Sequence, residues 1–598
     1  MEEPNWLDLK KQLVDCAMGR LPAEKVIKNG QWISVQSGEI IPNIDVAIIG
    51  EKIAYVGENA DHTIGPNTEV IEANNKYLVP GLLDAHMHVE SGMVTVTEFV
   101  RAVMAGGTTG IFIDPHEIAN VFGLKGVKLM VDEASIQPIH VWTQIPSCVP
   151  SGPGFETPGA SIGPEEVAEA MTWDGIIGLG EMMNFPGVAN SDENMLAEIG
   201  ETHLANKVVG GHYASPDLGI PFHGYIAGGA EDDHEGTRPE DAIARVRQGM
   251  KAMLRYGSAW HDVKDQIPAI IEEGLDSRNF ILCTDDSHAE TLINDGHMDR
   301  VVRHAISMGL SPMQAIQMST INTATHFGMT REIGMIAPGR FADILIVSDL
   351  EELIIDRVIS KGITVSINGE LQIELPPYPY PEWATKSVNF GKEITAEDFK
   401  LPANSNGNVT ANVIGVIENE APTKHLKFDL QPENGELLID IKQDILKIAV
   451  VERHTGNGKV TVGLVNGFGF TENCGIATTV AHDSHQMIVV GTNEEDMAIA
   501  ANELAKINGG QIVVKNGEII GFVDLPIAGL MSNERAEIVA DKARTVLDGF
   551  IKCGCNLNNP NMQLSLLALV VIPELRISDL GLVDVNEFKF IPVIDQNI

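Results

Sequence analysis

Between Gly81 and about Gly328, short apolar runs of strand character alternate with helical patterns, and this alternation limits the fold more than any other feature of the 598-residue chain. Repeated βα units are the signature of a parallel sheet. Eight strands are expected: Leu82 to His86, Gly110 to Asp114, Ile139 to Ile145, Gly175 to Leu179, Lys207 to Gly211, Tyr225 to Gly229, Ser258 to Trp260, and Phe280 to Thr284. Helical patterns lie between them, among them Val94 to Ala105, Pro164 to Thr172 and Arg238 to Leu254. Eight units favour a closed (β/α)8 barrel over an open sheet, with the sixth and seventh strands the weakest. In such a barrel the reactive groups sit at the C-terminal ends of the strands.

The rest of the chain is too long to join the same core, so about three domains are expected. Residues 5 to 18 suit a short amphipathic helix with Leu7, Leu13 and Val14 among its apolar positions. Short strands follow at Val26-Ile27, Trp32 to Val35, Asp45 to Ile49 and Ile53 to Val56, with Gly30, Gly38, Gly50 and Gly57 as turns. Strand chemistry returns from Gly334 to Val347, at Val358-Ile359 and from Ile363 to Ile367, and its simplest use is to complete the sheet begun before Gly81. Leu375 to Pro381 is a Pro-rich linker. Beyond it, strands at Leu446 to Val451, Val460 to Val465 and Gln486 to Val490 and a helix near Glu494 to Lys506 indicate a further α/β unit. The expected division is 1–80 (helix and first part of a composite β-sandwich), 81–333 (barrel), 334–374 (second part of the sandwich), 375–399 (linker) and 400–598 (C-terminal α/β domain).

The formal charge of −42 argues against a nucleic-acid backbone or an anionic membrane surface as partner. It leaves a small ligand open, because local charge decides that binding; solubility is its plain explanation. Cysteines at 16, 148, 283, 474, 553 and 555 show no disulfide framework, which fits a reducing compartment. Met1-Glu2-Glu3-Pro4 lacks the basic start and apolar core of a signal peptide, and no apolar run approaches membrane-spanning length, so a cytoplasmic protein is expected.

The run Val79-Pro80-Gly81-Leu82-Leu83-Asp84-Ala85-His86-Met87-His88 carries the first chemical signal. A strand's period of two puts His86 and His88 on one face, where they can hold a metal; alone, such a pair is more often hydrogen-bonded structure. Downstream, Glu181 follows Gly178-Leu179-Gly180, His212 follows Val208-Val209-Gly210-Gly211, His234 lies in an acidic stretch, and Asp285 closes Phe280 to Thr284. Each has a bland reading as a loop or surface residue. Jointly they fall at one rim of one barrel and supply nitrogen and carboxylate ligands for two divalent ions with a bridging water. Such ions bring the water's pKa towards neutrality, and Asp285 could be both ligand and proton shuttle. Asp286 is the alternative if the register is off by one. Ala481-His482-Asp483-Ser484-His485 is a second site candidate, against the commoner reading of a polar loop between strands.

The stretch from Pro80 to His88, the barrel, Leu282-Cys283-Thr284-Asp285-Asp286 and the run from Ile336 to Ile346 resemble the amidohydrolase superfamily across residues 25 to about 370. His86 to Ser91, Asp114-Pro115-His116-Glu117-Ile118-Ala119-Asn120-Val121, Gly180 to Asn184, Gly467-Phe468-Gly469 and Ala481 to His485 resemble bacterial adenine deaminases, so the likeness spans nearly the whole chain. The resemblance implies hydrolytic deamination of adenine to hypoxanthine and ammonia in purine salvage, two divalent metal ions (manganese first, with iron or zinc as alternatives), and a homo-oligomer, expected to be a dimer. It implies that His86 and His88 with Asp285 bind one ion, His212 and His234 the other, and Glu181 both. A bridging hydroxide would attack C6, with Asp285 passing its proton to the leaving amine. Many two-metal relatives bridge with a carboxylated lysine on the fourth strand, and Glu181 departs from that pattern. Glu90, Ser91, His116 and Glu117 are candidates for holding the purine, or for supporting His88 and Asp114 from behind.

The other zinc deaminase architecture pairs His-Xaa-Glu with Pro-Cys-Xaa-Xaa-Cys. His88-Val89-Glu90 and His288-Ala289-Glu290 match its first half, but Cys553-Gly554-Cys555 has the wrong spacing for the second. The remaining alternatives are a two-metal cyclic-amide or N-acyl hydrolase on the same barrel, and a non-catalytic scaffold that keeps the barrel.

Overall fold

The computed structural model describes residues 6–403, 405 and 407–595. Asn5 of the expected helix and the Met1 to Pro4 start lie outside the described residues.

Eight parallel strands form the barrel: Leu82–His88, Thr108–Ile113, His140–Ile145, Ile176–Met182, Val208–Gly211, Asp232–Asp233, Lys251–Arg255 and Phe280–Cys283. The first five pair in sequence order, and the last three pair with one another. Asp285–Asp286, directly after the eighth strand, pairs with Met87 and His88 on the first. Between strands five and six, Glu231 N donates to Val209 O at 3.0 Å. The ring is closed by these two links. Asp84 binds the first strand to the eighth, accepting from Thr284 N at 3.0 Å and Thr284 Oγ1 at 2.5 Å.

The sixth and seventh strands differ from expectation. Tyr225 to Gly229 falls almost wholly in the helix Ile220–Gly228, where Pro221 sits in the first turn and Phe222 and Tyr225 share the buried face at i and i+3. The true sixth strand is a pair of aspartates with no hydropathy signal. Its carboxylates are satisfied by groups on other elements, Asp233 by Arg245 at 2.8 Å, and Asp232 by His326 at 2.6 Å and Gly211 N at 3.0 Å. Ser258 to Trp260 is irregular. The expected helix Arg238 to Leu254 is Pro239–Arg247 only; Gly249, at φ +95°, breaks it, and Lys251–Arg255 is the seventh strand.

The strands before and after the barrel form one nine-stranded sheet. Ile344–Asp349 pairs antiparallel with Tyr77–Pro80, Ile344 opposite Pro80 and Val347 opposite Tyr77. Val26-Ile27 and Trp32 to Ser34 belong to one strand, Lys25–Ser34, so Gly30 is not a turn. It sits at a register shift, where an added Cβ would lie 2.5 Å from the Leu78 side chain. On the helix Trp6–Ala17 the buried stripe is Leu13 and Cys16, with Leu9 partly covered, while Leu7 and Val14 are exposed. No helix among the described residues is long and apolar enough to cross a membrane.

The Pro-rich segment lies against the barrel. Tyr380 donates its hydroxyl to Glu133, and Lys125 Nζ stands 3.7 Å from the centre of the Trp383 ring. Past it, an eight-stranded sheet contains Leu446–Val451, Val460–Asn466 and Met487–Gly491, close to the expected runs, together with the helix Glu494–Lys506. Strand alternation divides the core. Ala449 and Val451 pack under Met497, Ala501 and Leu504 of that helix. Ile448 and Val450 face the opposite side, where Val539, Val546 and Phe550 of helix Ala536–Lys552 join an apolar core continuous with the barrel's. Each such fully buried aliphatic contributes about 1.5–3 kcal/mol, so this junction is held by packing. Polar links reinforce it: Ser532 N donates to Met93 O at 2.9 Å, and Gln486 Nε2 to Thr157 O at 2.8 Å.

Candidate metal centre

The first strand presents His86 and His88 inward, their rings 4.8 Å apart and edge to face, with Met87 between them packed into the core. Glu181 is the penultimate residue of the fourth strand, His212 follows the fifth, His234 follows the sixth, and Asp285 lies just past the eighth. All six converge. Glu181 Oε2 is 2.5 Å from His212 Nδ1, 3.1 Å from His234 Nε2 and 3.9 Å from His86 Nε2, while its Oε1 is 3.6 Å from His88 Nε2. Asp285 Oδ1 is 3.3 Å from His88 Nε2, and the His86 and His234 rings stack at 4.1 Å.

Nitrogen and oxygen atoms of His86, His88 and Glu181, of His86, His234 and Asp285, and of Glu181, His212 and His234 lie within 4.8 Å of one another, as metal-binding groups require. His86 belongs to two of these sets, between the expected pair of ion positions. The donor atoms fit a divalent cation. His86 Nε2 is buried with no hydrogen-bond partner, a cost that a metal ion removes. Burial opposes the charged form of His212, yet Glu235 and Glu181 raise its pKa to about 10. Burial likewise works against the Glu181 carboxylate, but His212, His234 and His88 hold it well below the usual range. His86, in contrast to His212, is held well below the ordinary histidine value by burial and by the neighbouring His234 and His88, which suits a neutral nitrogen ligand.

Supporting residues fix these groups. Asp114 Oδ2 accepts from Glu181 N at 2.8 Å, and His88 Nδ1 lies 2.8 Å from Asp114 O, which sets the His88 ring orientation. Gly180 permits this approach, since a Cβ there would stand 2.1 Å from Asp114 Oδ2. Burial and the Glu181 charge push the Asp114 carboxyl up to about 7. Replacing Asp114 with Ala is expected to weaken metal binding roughly 10–100-fold while every direct ligand remains. Metal titration of the variant checks this, and an unchanged affinity would mean that the strand alone places Glu181.

Arg255 is the residue that sequence reasoning missed. It closes the seventh strand, is buried, and donates to Asp285 Oδ2 at 2.9 Å, to Asp262 at 2.6 Å and to Glu235. The misplaced seventh strand hid it, and the break at Gly249 was the signal that could have revealed it.

Of the residues expected around the substrate, His116 lies nearest the centre, its Nδ1 3.4 Å from Glu181 Oε1 and its ring 4.6 Å from that of His88. Ser91 donates to Asp286 and lies 3.4 Å from Glu117 Oε1. Glu90 Oε1 accepts from Ile118 N at 3.3 Å, and its Oε2 has no partner. Burial raises the Glu117 carboxyl to about 8. The loop Ala481 to His485 is not remote from the barrel: His485 Nε2 is 3.9 Å from Glu117 Oε2, and His482 and Asp483 group with His116.

The model for the adenine deaminase C-terminal domain matches residues 420–589, and that for the amidohydrolase family matches residues 77–365. The adenine deaminase of Mesorhizobium japonicum is 60% identical over 98% of this chain and 97% of its own. Adenine deaminase 3 of Rhizobium meliloti is 57% identical over 98% of this chain and 99% of its own. Among solved structures, molinate hydrolase aligns at 15% identity and a TM-score of 0.45, covering 60% of this chain and 98% of that one. Likeness at 60% identity along both whole chains means that this protein belongs to the adenine deaminase family of the amidohydrolases.

Proposed function

We infer that the chain hydrolyses adenine to hypoxanthine and ammonia, the activity its relatives' names carry, at a centre of two divalent ions with manganese the first choice. The observation that carries this reading is the convergence of His86, His88, Glu181, His212, His234 and Asp285 inside a chain 60% identical to an adenine deaminase. His86 and His88 with Asp285 would hold one ion, His212 and His234 the other, and Glu181 both; the reach of Glu181 Oε1 to His88 and of Oε2 to His212 and His234 supports this, with His86, 3.9 Å from Oε2, standing between the two sets. Such ions lower the pKa of water so that a nucleophile exists near neutral pH. A carboxylate bridge needs no carbon dioxide, so metal alone would assemble the centre.

The chain's own groups then divide the work. Arg255 holds Asp285 Oδ2 and leaves Oδ1 facing the histidines, where Asp285 accepts the proton of the attacking water and returns it to the departing amine. The water oxygen adds to C6 while its other proton goes to a ring nitrogen, giving a tetrahedral carbon, and the C6–N bond then breaks as the amine, carrying the proton from Asp285, leaves as ammonia. Glu90, Ser91, His116 and Glu117 are the groups placed to orient the base. The barrel of residues 81–333 supplies the reacting side chains, braced by the composite sheet of 1–80 and 334–374, and 375–399 leads into the C-terminal unit of 400–598. Six buried free cysteines support action in the reducing cytoplasm.

Protein purified with a chelator and reloaded with manganese is expected to release ammonia from adenine and not from adenosine, and unreloaded protein to release little. Metal-loaded protein silent on adenine but opening a cyclic amide would transfer the assignment to the cyclic-amide hydrolases.

A further inference from the structure

The loop Ala481 to His485 is held with unusual firmness for a connection between strands. His485 N donates to Ala481 O at 2.8 Å, and its ring Nδ1 accepts from Ala481 N at 3.2 Å. Arg453, fully buried, donates to His485 O and to Ala528 O, and His454 Nε2 lies 2.7 Å from Ser484 O. Gln486 anchors the loop's end to Thr157 of the barrel. His485 is kept at φ +49°, a conformation that costs of order 1–3 kcal/mol in a non-glycine residue and persists only where its surroundings impose it.

Against this rigid frame, three side-chain atoms make no hydrogen bond: His116 Nδ1, Asp483 Oδ2 and His485 Nε2, in residues that are 8%, 2% and 0% exposed. Buried polar atoms are normally paired, and a cluster of unpaired ones marks where a ligand completes the set. Atoms of His116, His482 and Asp483 lie within 4.8 Å of one another, and His116 Nδ1 is 3.4 Å from Glu181 Oε1. The unpaired atoms therefore continue the metal centre towards the C-terminal domain and do not form a separate site.

Resting on the adenine deaminase reading, we propose that this loop is the far wall of the purine site and that Asp483 accepts a hydrogen bond from the imidazole-ring N–H of the free base, so that it selects adenine over its nucleosides. A carboxylate has lone pairs only, and it pairs with donors. Free adenine carries one ring N–H on its imidazole half; a base substituted at N9 carries none and would leave Asp483 Oδ2 buried without a donor, its other oxygen facing His482 Nδ1 at 3.5 Å. Sites built to bond such a donor reject analogues that lack it by about 10⁴–10⁵-fold. Asp483 is thereby a specificity-determining residue supplied by the C-terminal domain, and the barrel alone is an incomplete site.

The test compares adenine with 9-methyladenine on metal-loaded full-length enzyme. Wild type is expected to deaminate adenine and to discriminate strongly against the methylated base. Asp483→Asn, whose amide offers both a donor and an acceptor, is expected to raise the adenine KM roughly 10–100-fold with a smaller change in kcat. It is also expected to reduce the adenine to 9-methyladenine ratio of kcat/KM by about tenfold or more, with bound metal unchanged. A merely structural Asp483 would lower both substrates together and leave that ratio standing, which overturns the proposal. So would a wild type that accepts 9-methyladenine as readily as adenine, a result that needs no variant. Loss of one bound metal equivalent in Asp483→Asn with the ratio intact would assign the cluster to a third cation and likewise overturn it. If circular dichroism shows that Asp483→Asn has not folded, Asp483→Ser is read for the same ratio. Failure of the deaminase reading itself is separate, seen as no ammonia from adenine with metal-loaded wild type.

Discussion

Asp285→Asn is expected to lower kcat for adenine by about 10²–10⁴-fold, the range a positioned general acid–base group supplies, while the circular dichroism spectrum stays that of the wild type. The fold should survive for two reasons visible at the site. Asp285 stands at φ +61°, in the left-handed region, and asparagine is among the few residues that adopt it readily. Arg255, which loses a carboxylate partner, keeps Glu235 and Asp262, so no buried cation is left unpaired. What the amide cannot do is accept the proton of the attacking water, and it is a weaker metal ligand facing His88. Steady-state rates, metal content and circular dichroism on the same preparation separate these effects. A variant with near wild-type turnover would remove Asp285 from the chemistry, and one with a collapsed spectrum would make it structural.

The site was more legible in the sequence than the barrel that carries it. Period two along Leu82–His88 places His86 and His88 together whatever the rest of the chain does, and residues that close an apolar parallel strand arrive at the same rim by geometry. Glu181, His212 and Asp285 needed no knowledge of helix packing to be found. His234 was found through the acidic stretch around it, although the strand assigned before it was a helix. The failures share one cause. Strand six lacks an apolar run and strand seven has only Ala252-Met253-Leu254: Asp232–Asp233 is stabilised by Arg245, His326 and Gly211 N from other elements, and Lys251–Arg255 begins four residues after the end of the helix Pro239–Arg247, so that in the sequence one helical pattern runs through both. Tertiary pairing decides such segments, and local hydropathy does not report it.

The C-terminal unit shows the reverse. Leu446–Val451 and Glu494–Lys506 follow the sequence pattern closely because the strand is buried on both faces and almost wholly apolar, and the helix buries one regular apolar face. Their relation to the barrel was not readable. The contact of His485 with Glu117 joins residues about 370 positions apart, and nothing periodic links them. Sequence pattern sees what an element buries; it is silent on which polar loop of one domain reaches into another.

Glu181→Gln is expected to cause the largest loss at the centre itself. Its two oxygens lie within 4 Å of nitrogen atoms from five histidines, His86 and His88 on the first strand, His116 after the second, His212 after the fifth and His234 after the sixth. Removing a group that merely supports a ligand costs about 10–100-fold in metal affinity, so losing this one should cost more than roughly 100-fold and leave fewer than two ions per chain. The main chain should not move, because Asp114 still accepts from residue 181 N and Ser147 Oγ still donates to its carbonyl at 2.7 Å. The neutral amide also removes one of the charges that raise the His212 pKa, while Glu235 remains, so that histidine's affinity for a proton should fall in part along with the affinity for metal. Glu181→Asp, which keeps the charge but shortens the reach, should recover metal in part and activity less. Full metal content in Glu181→Gln would show that the histidines and Asp285 bind the ions unaided, and Glu181 would then orient His212 and His234 without bridging anything.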